Sequence, residues 1–250
     1  MERWTGRVAL ITGASSGIGE AIARQFSNIG VNVAALARRT DKLQALEKEC
    51  KNNAGTLKTY RCDISDEKQI EKTLKQVYAD FGSISILVNN AAIAQAISLT
   101  DTSISSRKLY ETNLIGLVTM TQHVLKQMKD NNIDDGHIIN VNTIGGHCVL
   151  PILHMANYCA SKNALTVLSK SLKHELAAMK SNIRITNFSP GLVPTELAQP
   201  IIDRSSIELP ALSCDDIVDA IIYVLSTKPH VNISELTIEP VGEDVNVIGK

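Results

Sequence analysis

Tyr158 and Lys162, in the stretch Asn157-Tyr158-Cys159-Ala160-Ser161-Lys162, are spaced so that one could move a proton and the other could tune it. On a helix, residues four apart share a face, with Cβ atoms roughly 5–6 Å apart, so an ammonium would sit beside a phenol. A phenol with a pKa near 10 is a poor proton carrier at neutral pH. A cation ~4 Å away contributes on the order of 4 kcal/mol at an effective dielectric near 20, or up to ~3 pKa units before solvent discounts it. Such a shift would bring the tyrosine into the range of a general acid or base. On spacing alone an ordinary exposed Tyr and Lys on an amphipathic helix is the better reading, so the pair has to be judged by its surroundings.

Those surroundings alternate short β-rich apolar runs with longer helical patterns along all 250 residues. The predicted strands are 8–12, 31–37, 57–61, 84–89, 137–142, 183–188 and 235–238. Their apolar runs are mostly continuous, as expected for strands covered on both faces of a parallel sheet. Between them lie apolar stripes at helical spacing, such as Ile18, Ile22, Phe26 and Ile29, or Leu165, Leu168, Leu172 and Leu176. The class is α/β: a doubly wound, seven-stranded parallel sheet with helices on both faces, formed by one domain over 1–250. The least regular stretch, 194–213, carries Pro194, Pro200 and Pro210 and is either a lid over a site or an inert surface loop.

In open α/β sheets ligands bind beyond the carboxyl ends of the strands, and polar and glycine-rich residues collect there. The first strand runs into Thr12-Gly13-Ala14-Ser15-Ser16-Gly17-Ile18-Gly19 and then a helix. Glycines at this junction let the backbone approach a pyrophosphate, whose charge the free N–H groups of the helix meet. The second strand ends in Ala37-Arg38-Arg39, where an acid would accept both ribose hydroxyls of NAD. Two guanidiniums suit a 2′-phosphate instead, so NADP(H) is preferred and NAD(H) is possible; a solvated basic pair is the alternative. Asp63 and Ile64 close the third strand, the carboxylate suited to an adenine amino group and Ile64 to the ring, while a helix N-cap is an equal role for Asp63 or Ser65. Asn89, Asn90, Ala91, Ala92 and Ile93 end the fourth strand. Asn113 lies inside a long helical pattern extending to Lys129, where an asparagine suggests a kink or a polar partner.

The composition narrows the range of partners. With 44% hydrophobic and 20% charged residues and a net charge of −1, there is no electrostatic case for nucleic acid or an anionic membrane, and a small molecule is expected. Five scattered cysteines without zinc spacing read as reduced thiols and no metal site is expected; Cys159, beside Tyr158, reads as a packed thiol. The sequence runs quickly from its first methionine into a strand, and no apolar run approaches 18 residues, so a cytoplasmic protein is expected. Asn187-Phe188-Ser189 and Asn232-Ile233-Ser234 are read as chance matches to a glycosylation pattern.

Together Thr12-Gly-x-x-x-Gly17-x-Gly19, Asn89-Asn90-Ala91, Asn113, Tyr158-x-x-x-Lys162 and Ser189-Pro190-Gly191 resemble the classical short-chain dehydrogenases/reductases, from Gly6 to about Pro240. The segments 137–142, Gly146-His147 and Val149-Leu150-Pro151 are similar to the animal branch that includes insect farnesol dehydrogenases. The resemblance implies a Rossmann fold, Tyr158 as acid/base, Lys162 on the nicotinamide ribose and lowering the tyrosine pKa, and Asn113 holding a relay water. It implies that Pro190, Gly191, Val193 and Thr195 embrace the nicotinamide, and that the chain forms a homodimer or homotetramer. Two departures stand out. The family's catalytic serine maps onto Thr143 by motif, although the distance to the tyrosine would put Gly145 there; and Ala92 replaces a common glycine. The substrate expected is a small lipophilic alcohol or carbonyl compound, such as a terpenoid alcohol, with Ile93, His147, Leu150, Leu153, Leu192 and Leu197 lining its site. A catalytically weak or inactive NADP(H)-binding sensor on the same fold is the alternative.

Overall fold

The computed structural model describes residues 1–150, 152–203 and 209–242. The strands are β1 (Val8–Thr12), β2 (Asn32–Ala37), β3 (Leu57–Arg61), β4 (Ile86–Asn89), β5 (His137–Val141), β6 (Arg184–Pro190) and β7 (Glu235–Ile238). All pair in parallel, in the order β3-β2-β1-β4-β5-β6-β7. Chain order reverses beside β1, whose two neighbours are β2 and β4, and this opens a crevice at the carboxyl edge.

Successive side chains of a strand point to opposite faces, and both faces here are apolar. Ala9, Ile11, Val33, Ala35, Ile86, Val88 and Ile139 pack on one face with Ile22 and Phe26 of α1 (Gly17–Asn28), Leu43 and Leu46 of α2 (Thr40–Glu49), and Ile217 and Ile221 of a helix near the end of the chain. Leu10, Ala34, Leu36, Leu87 and Ile138 pack on the other with Ile70 and Leu74 of α3 (Glu67–Phe81) and with helices downstream. This is why the strand sequences read as continuous apolar runs. Asp66, rather than Asp63 or Ser65, caps α3: its side chain accepts from the Gln69 N–H.

The next helical stretch is interrupted. Between α4 (Arg107–Tyr110) and α5 (Leu117–Asp130) the chain makes a π-helical turn over Glu111–Gly116, with Asn113 buried inside it. The turn fits closely under the third strand's exit: a Cβ on Gly116 would lie 2.0 Å from the Ile64 carbonyl oxygen. Among the described residues the α-helices that follow are α6 (Ala156–Ala178), which carries Tyr158 and Lys162, the short α7 (Gln199–Ile202) and α8 (Cys214–Ser226). A ladder of buried amides fixes α6 to the sheet. Asn89 donates to Asn140 at 2.9 Å, Asn140 to Ser169 at 2.9 Å, and Asn142 to Thr166 at 2.9 Å and to Asn187 at 3.0 Å. Such a network favours one register of the helix on the sheet, although Asn89 Oδ1 and Asn142 Oδ1 are buried without a hydrogen-bond partner.

Candidate active site

Two cavities meet at the carboxyl edge of the sheet. The larger, about 410 Å³, is bounded by Gly13, Ser15, Ser16, Gly17 and Ile18 after β1, Arg38 and Arg39 after β2, Asp63 and Ile64 after β3, Asn90 to Ile93 after β4, and Thr195 and Leu197 after β6. Gly13 and Gly17 have φ of 70° and 58°, the left-handed region that suits glycine. The loop is also too tight for side chains: a Cβ on Gly13 would lie 2.8 Å from the Ala91 Cα. Gly19 does not line the cleft but packs beneath it, where a Cβ would lie 2.4 Å from Asn90 Nδ2. Ser16 precedes α1 without making a side-chain cap, so the first N–H groups of the helix face the cleft's end of the loop without a serine oxygen on them. Thr112 lines the same cleft with its buried hydroxyl unpartnered.

These features fit a dinucleotide: a backbone cradle at a helix N-terminus for the pyrophosphate, and cations at the tip of β2. Arg39 is held by Ser15, with Nε at 3.2 Å and Nη2 at 3.0 Å, and by Ser16 at 2.6 Å. Arg38 is 58% exposed, its nearest acid being Asp63 at 4.0 Å. Asp63 accepts from the Ser65 N–H at 3.0 Å, the Ser65 hydroxyl at 2.7 Å and Lys108 at 3.1 Å. Burial pushes its carboxyl up, but these hydrogen bonds outweigh burial and hold it below the usual range. Ala92 lines the cleft and is not among the non-glycine residues with positive φ, which among the described residues are Asn132, His154 and Lys180, so its methyl group brings no backbone strain.

The smaller chamber, about 110 Å³, shares Ile18, Ala94, Thr195 and Leu197 with the cleft and so continues from it. Thr143 and Tyr158 both line it, with Ile144, Leu150, Ile152, Leu192 and Val193 as apolar walls and Pro190 and Gly191 at the end of β6. Thr143 stands before a single 3-10 turn, Ile144–Gly146, and its hydroxyl oxygen accepts the Gly145 N–H at 3.4 Å, leaving the O–H free to donate. Gly145 does not line the chamber; a Cβ there would meet Leu150 at 3.0 Å. Geometry therefore agrees with the motif alignment, which puts the hydroxyl on Thr143.

Tyr158 and Lys162 are both buried. Lys162 donates to the Val141 carbonyl at 2.9 Å, which anchors the ammonium at the end of β5. Burial takes its pKa down to about 8. Burial, with Cys159 second, pushes the Tyr158 phenol up rather than down. The expectation that Lys162 would lower the tyrosine is not met in the protein by itself, where loss of water is the main influence on the phenol. Asn113 is committed on three sides, accepting from the Ile93 N–H at 2.8 Å and donating to the Ile93 carbonyl at 2.9 Å and to Ser161 at 3.2 Å. Both of its N–H donors are used; a second lone pair on Oδ1 is what it retains for a water.

The expected substrate contacts divide between the chamber and other places. His147 lies against Ser189 at 2.8 Å and Glu235 at 3.3 Å and does not line the chamber. Leu153 is 80% exposed, Ile93 borders the nucleotide cleft, and Leu150, Leu192 and Leu197 line the chamber. Ile152, read from the sequence as part of the apolar loop before Tyr158, also lines the chamber. Sequence reading passed over Ala94 and Glu196, which border the cleft from loops without a motif, and Thr112, which borders it from the π-helical turn beside Asn113. It also passed over Glu67, Glu71 and His123, whose ligand atoms lie within 4.8 Å of one another at the surface and border neither cavity. Among the described residues no helix is long and apolar enough to cross a membrane.

The fold and its crevice define a Rossmann-type nucleotide-binding architecture. Residues 7–205 match the short chain dehydrogenase family, and the chain belongs to that family, as an oxidoreductase of the short-chain type. Its relatives include a farnesol dehydrogenase of Aedes aegypti, 40% identical over 97% of this chain and 99% of the relative, and dehydrogenase/reductase SDR family member 11 of Gallus gallus, 39% identical over 96% and 98%. A solved closed form of serine dehydrogenase complexed with NADP+ superposes with a TM-score of 0.84 at 31% identity, covering 95% of this chain and 96% of that one.

Proposed function

We propose that this chain interconverts an alcohol with its aldehyde or ketone, using NADP(H) in preference to NAD(H), on a lipophilic substrate such as a terpenoid alcohol. The observation that carries the reading is the pair of hydroxyls, Thr143 and Tyr158, lining one apolar chamber that opens into the dinucleotide cleft. A bound nicotinamide cofactor supplies or accepts the hydride. The chain's own residues do the rest. Tyr158 gives its proton to the carbonyl oxygen in reduction and takes it back in oxidation, while the Thr143 hydroxyl hydrogen-bonds the same oxygen and keeps it aimed. Lys162, fixed on Val141, holds the cofactor ribose and favours the phenolate as the proton leaves. Pro190, Gly191, Val193 and Thr195 orient the nicotinamide, and Arg38 and Arg39 receive the 2′-phosphate.

Chamber size bears on the substrate. At about 110 Å³ it is well below the ~300–1,000 Å³ of sites that enclose a whole ligand, so it takes the reacting end of a molecule against Leu150 and Ile152, while the apolar remainder passes out by Leu197, which borders both cavities. The likeness to farnesol dehydrogenase supports a terpenoid among such molecules. A homodimer or homotetramer belongs to the same proposal, supported by Ile115 and Val167, which are apolar and 58% and 61% exposed in the segments that carry Asn113 and Tyr158. The test is a spectrophotometric screen with NADPH and NADH, or their oxidised forms, against terpenoid alcohols, aldehydes and steroids. NADPH-linked turnover of a lipophilic member is expected. Tight NADPH binding without turnover anywhere in the panel would favour a non-catalytic binding protein, and an NADH preference would overturn the roles of Arg38 and Arg39.

A further inference from the structure

Glu196 sits on the cation cluster to which the proposed function assigns the 2′-phosphate. Its carboxylate accepts from Arg39 Nη1 at 2.6 Å through one oxygen and pairs with Lys42 through the other. Lys42, Arg39 and Ser16 hydrogen-bond to it and hold its pKa down at about 2, so it is ionised at any pH where the enzyme works. The residue arrives from the far side of the cleft, 157 positions from Arg39, on the segment whose Thr195 methyl group packs against Gly17. A Cβ on Gly17 would lie 2.9 Å from that methyl, so the backbone of the segment is seated tightly on the glycine loop.

We propose that Glu196 is a specificity-determining residue that competes with the 2′-phosphate of NADP(H) for Arg39 and Lys42. Two of the three cations near the tip of β2 already hold a carboxylate, and only Arg38, 58% exposed and 4.0 Å from Asp63, is loosely engaged. A 2′-phosphate must take Arg39 and Lys42 from Glu196, or share them with a like charge beside it. A ribose 2′-hydroxyl, as in NAD(H), requires neither. Discrimination between the two cofactors is therefore narrower than the Arg38-Arg39 pair alone would give.

This inference rests on the dinucleotide reading of the cleft, and the test separates the two. Dissociation constants are measured by calorimetry for NADPH, NADH, and the adenosine fragments 2′,5′-ADP and 5′-AMP, in the wild type and in Glu196→Gln. The variant is isosteric at a half-exposed side chain, and Glu196→Ala provides a second reading of the same ratio. NADPH and 2′,5′-ADP should bind roughly three- to tenfold tighter in both variants, the scale of two exposed ion pairs, while NADH and 5′-AMP change by less than about twofold. Wild-type binding of NADPH with a variant ratio that stays the same, or that moves toward NADH, overturns the role of Glu196 alone. Wild-type binding of neither NADPH nor NADH overturns the dinucleotide reading, and this inference with it.

Discussion

Ile93 and Asn113 are joined by two hydrogen bonds of opposite direction: the Ile93 N–H donates to Asn113 Oδ1 at 2.8 Å, and Asn113 Nδ2 donates to the Ile93 carbonyl at 2.9 Å. A side-chain amide here does what a neighbouring strand would do, satisfying both backbone groups of a loop residue beyond β4. The second Nδ2 hydrogen reaches Ser161, one turn from Tyr158. One amide thus ties the wall of the nucleotide cleft to the helix that carries Tyr158, and the π-helical turn at Glu111–Gly116 is the backbone distortion that presents it there.

Asn113→Asp tests that clamp with almost no change in volume. A carboxylate still accepts from the Ile93 N–H but faces the Ile93 carbonyl and Ser161 without a hydrogen to donate. The expected cost is about 2–4 kcal/mol in denaturant unfolding, with activity falling together with it. A variant as stable as the wild type would mean that the amide's donors do not matter.

Thr143→Val removes the hydroxyl and keeps the branched shape. If Thr143 polarises the substrate oxygen, kcat should fall by roughly 10²–10³-fold, while Thr143→Ser stays within about tenfold of the wild type. Equal rates in the Val variant and the wild type would assign that task to another group.

Lys162 yields a pH dependence of stability. Its folded pKa, about 8, lies below the ordinary lysine value of 10.5, so between the two the unfolded chain binds more protons and stability rises with pH. The burial penalty, at most ~3 kcal/mol, is present in full below pH 8 and disappears as the pH rises toward 10.5. Lys162→Met lacks this term and loses a pH-independent hydrogen bond to Val141. Denaturant melts at neutral pH and near pH 10 should show the wild type gaining about 1–3 kcal/mol on the variant. A difference independent of pH would contradict the shift.

Gly116 and Gly82 separate crowding from strain. An alanine at Gly116 would put its Cβ 2.0 Å from the Ile64 carbonyl oxygen, whereas Gly82 has φ of 80° and nothing within 4 Å. Gly116→Ala should cost more than about 3 kcal/mol or prevent folding, and Gly82→Ala only about 1 kcal/mol. Comparable melting temperatures for the two variants would show that the π-helical turn can yield.

The sheet was legible because of the way it is buried. Central strands covered on both faces are apolar at nearly every position, so the runs at 8–12, 31–37 and 84–89 stood out, whereas the edge strand at 57–61 carries Lys58, Thr59 and Arg61; the elements differ from expectation mainly by a residue or two at their ends. Asn113 was legible as a polar residue out of place in a helix, and the structure supplies both the distortion and the partner. Contacts between distant loops were not legible. Nothing in the sequence around Thr195 and Glu196 marks a carboxylate destined for Arg39, because that pairing exists only once β2 and β6 lie in one sheet. The rise in the Tyr158 pKa was not legible for a related reason: spacing reveals a lysine one turn away, but only the fold reveals how thoroughly both residues are buried.

The central claim is that Tyr158 carries the proton, and Tyr158→Phe tests it most directly, with turnover and NADPH affinity measured on the same preparation. Turnover of any substrate found in the screen should drop by at least ~10³-fold while the NADPH dissociation constant stays within about twofold, since only a hydroxyl has been removed. A variant that keeps the wild-type rate would contradict the account.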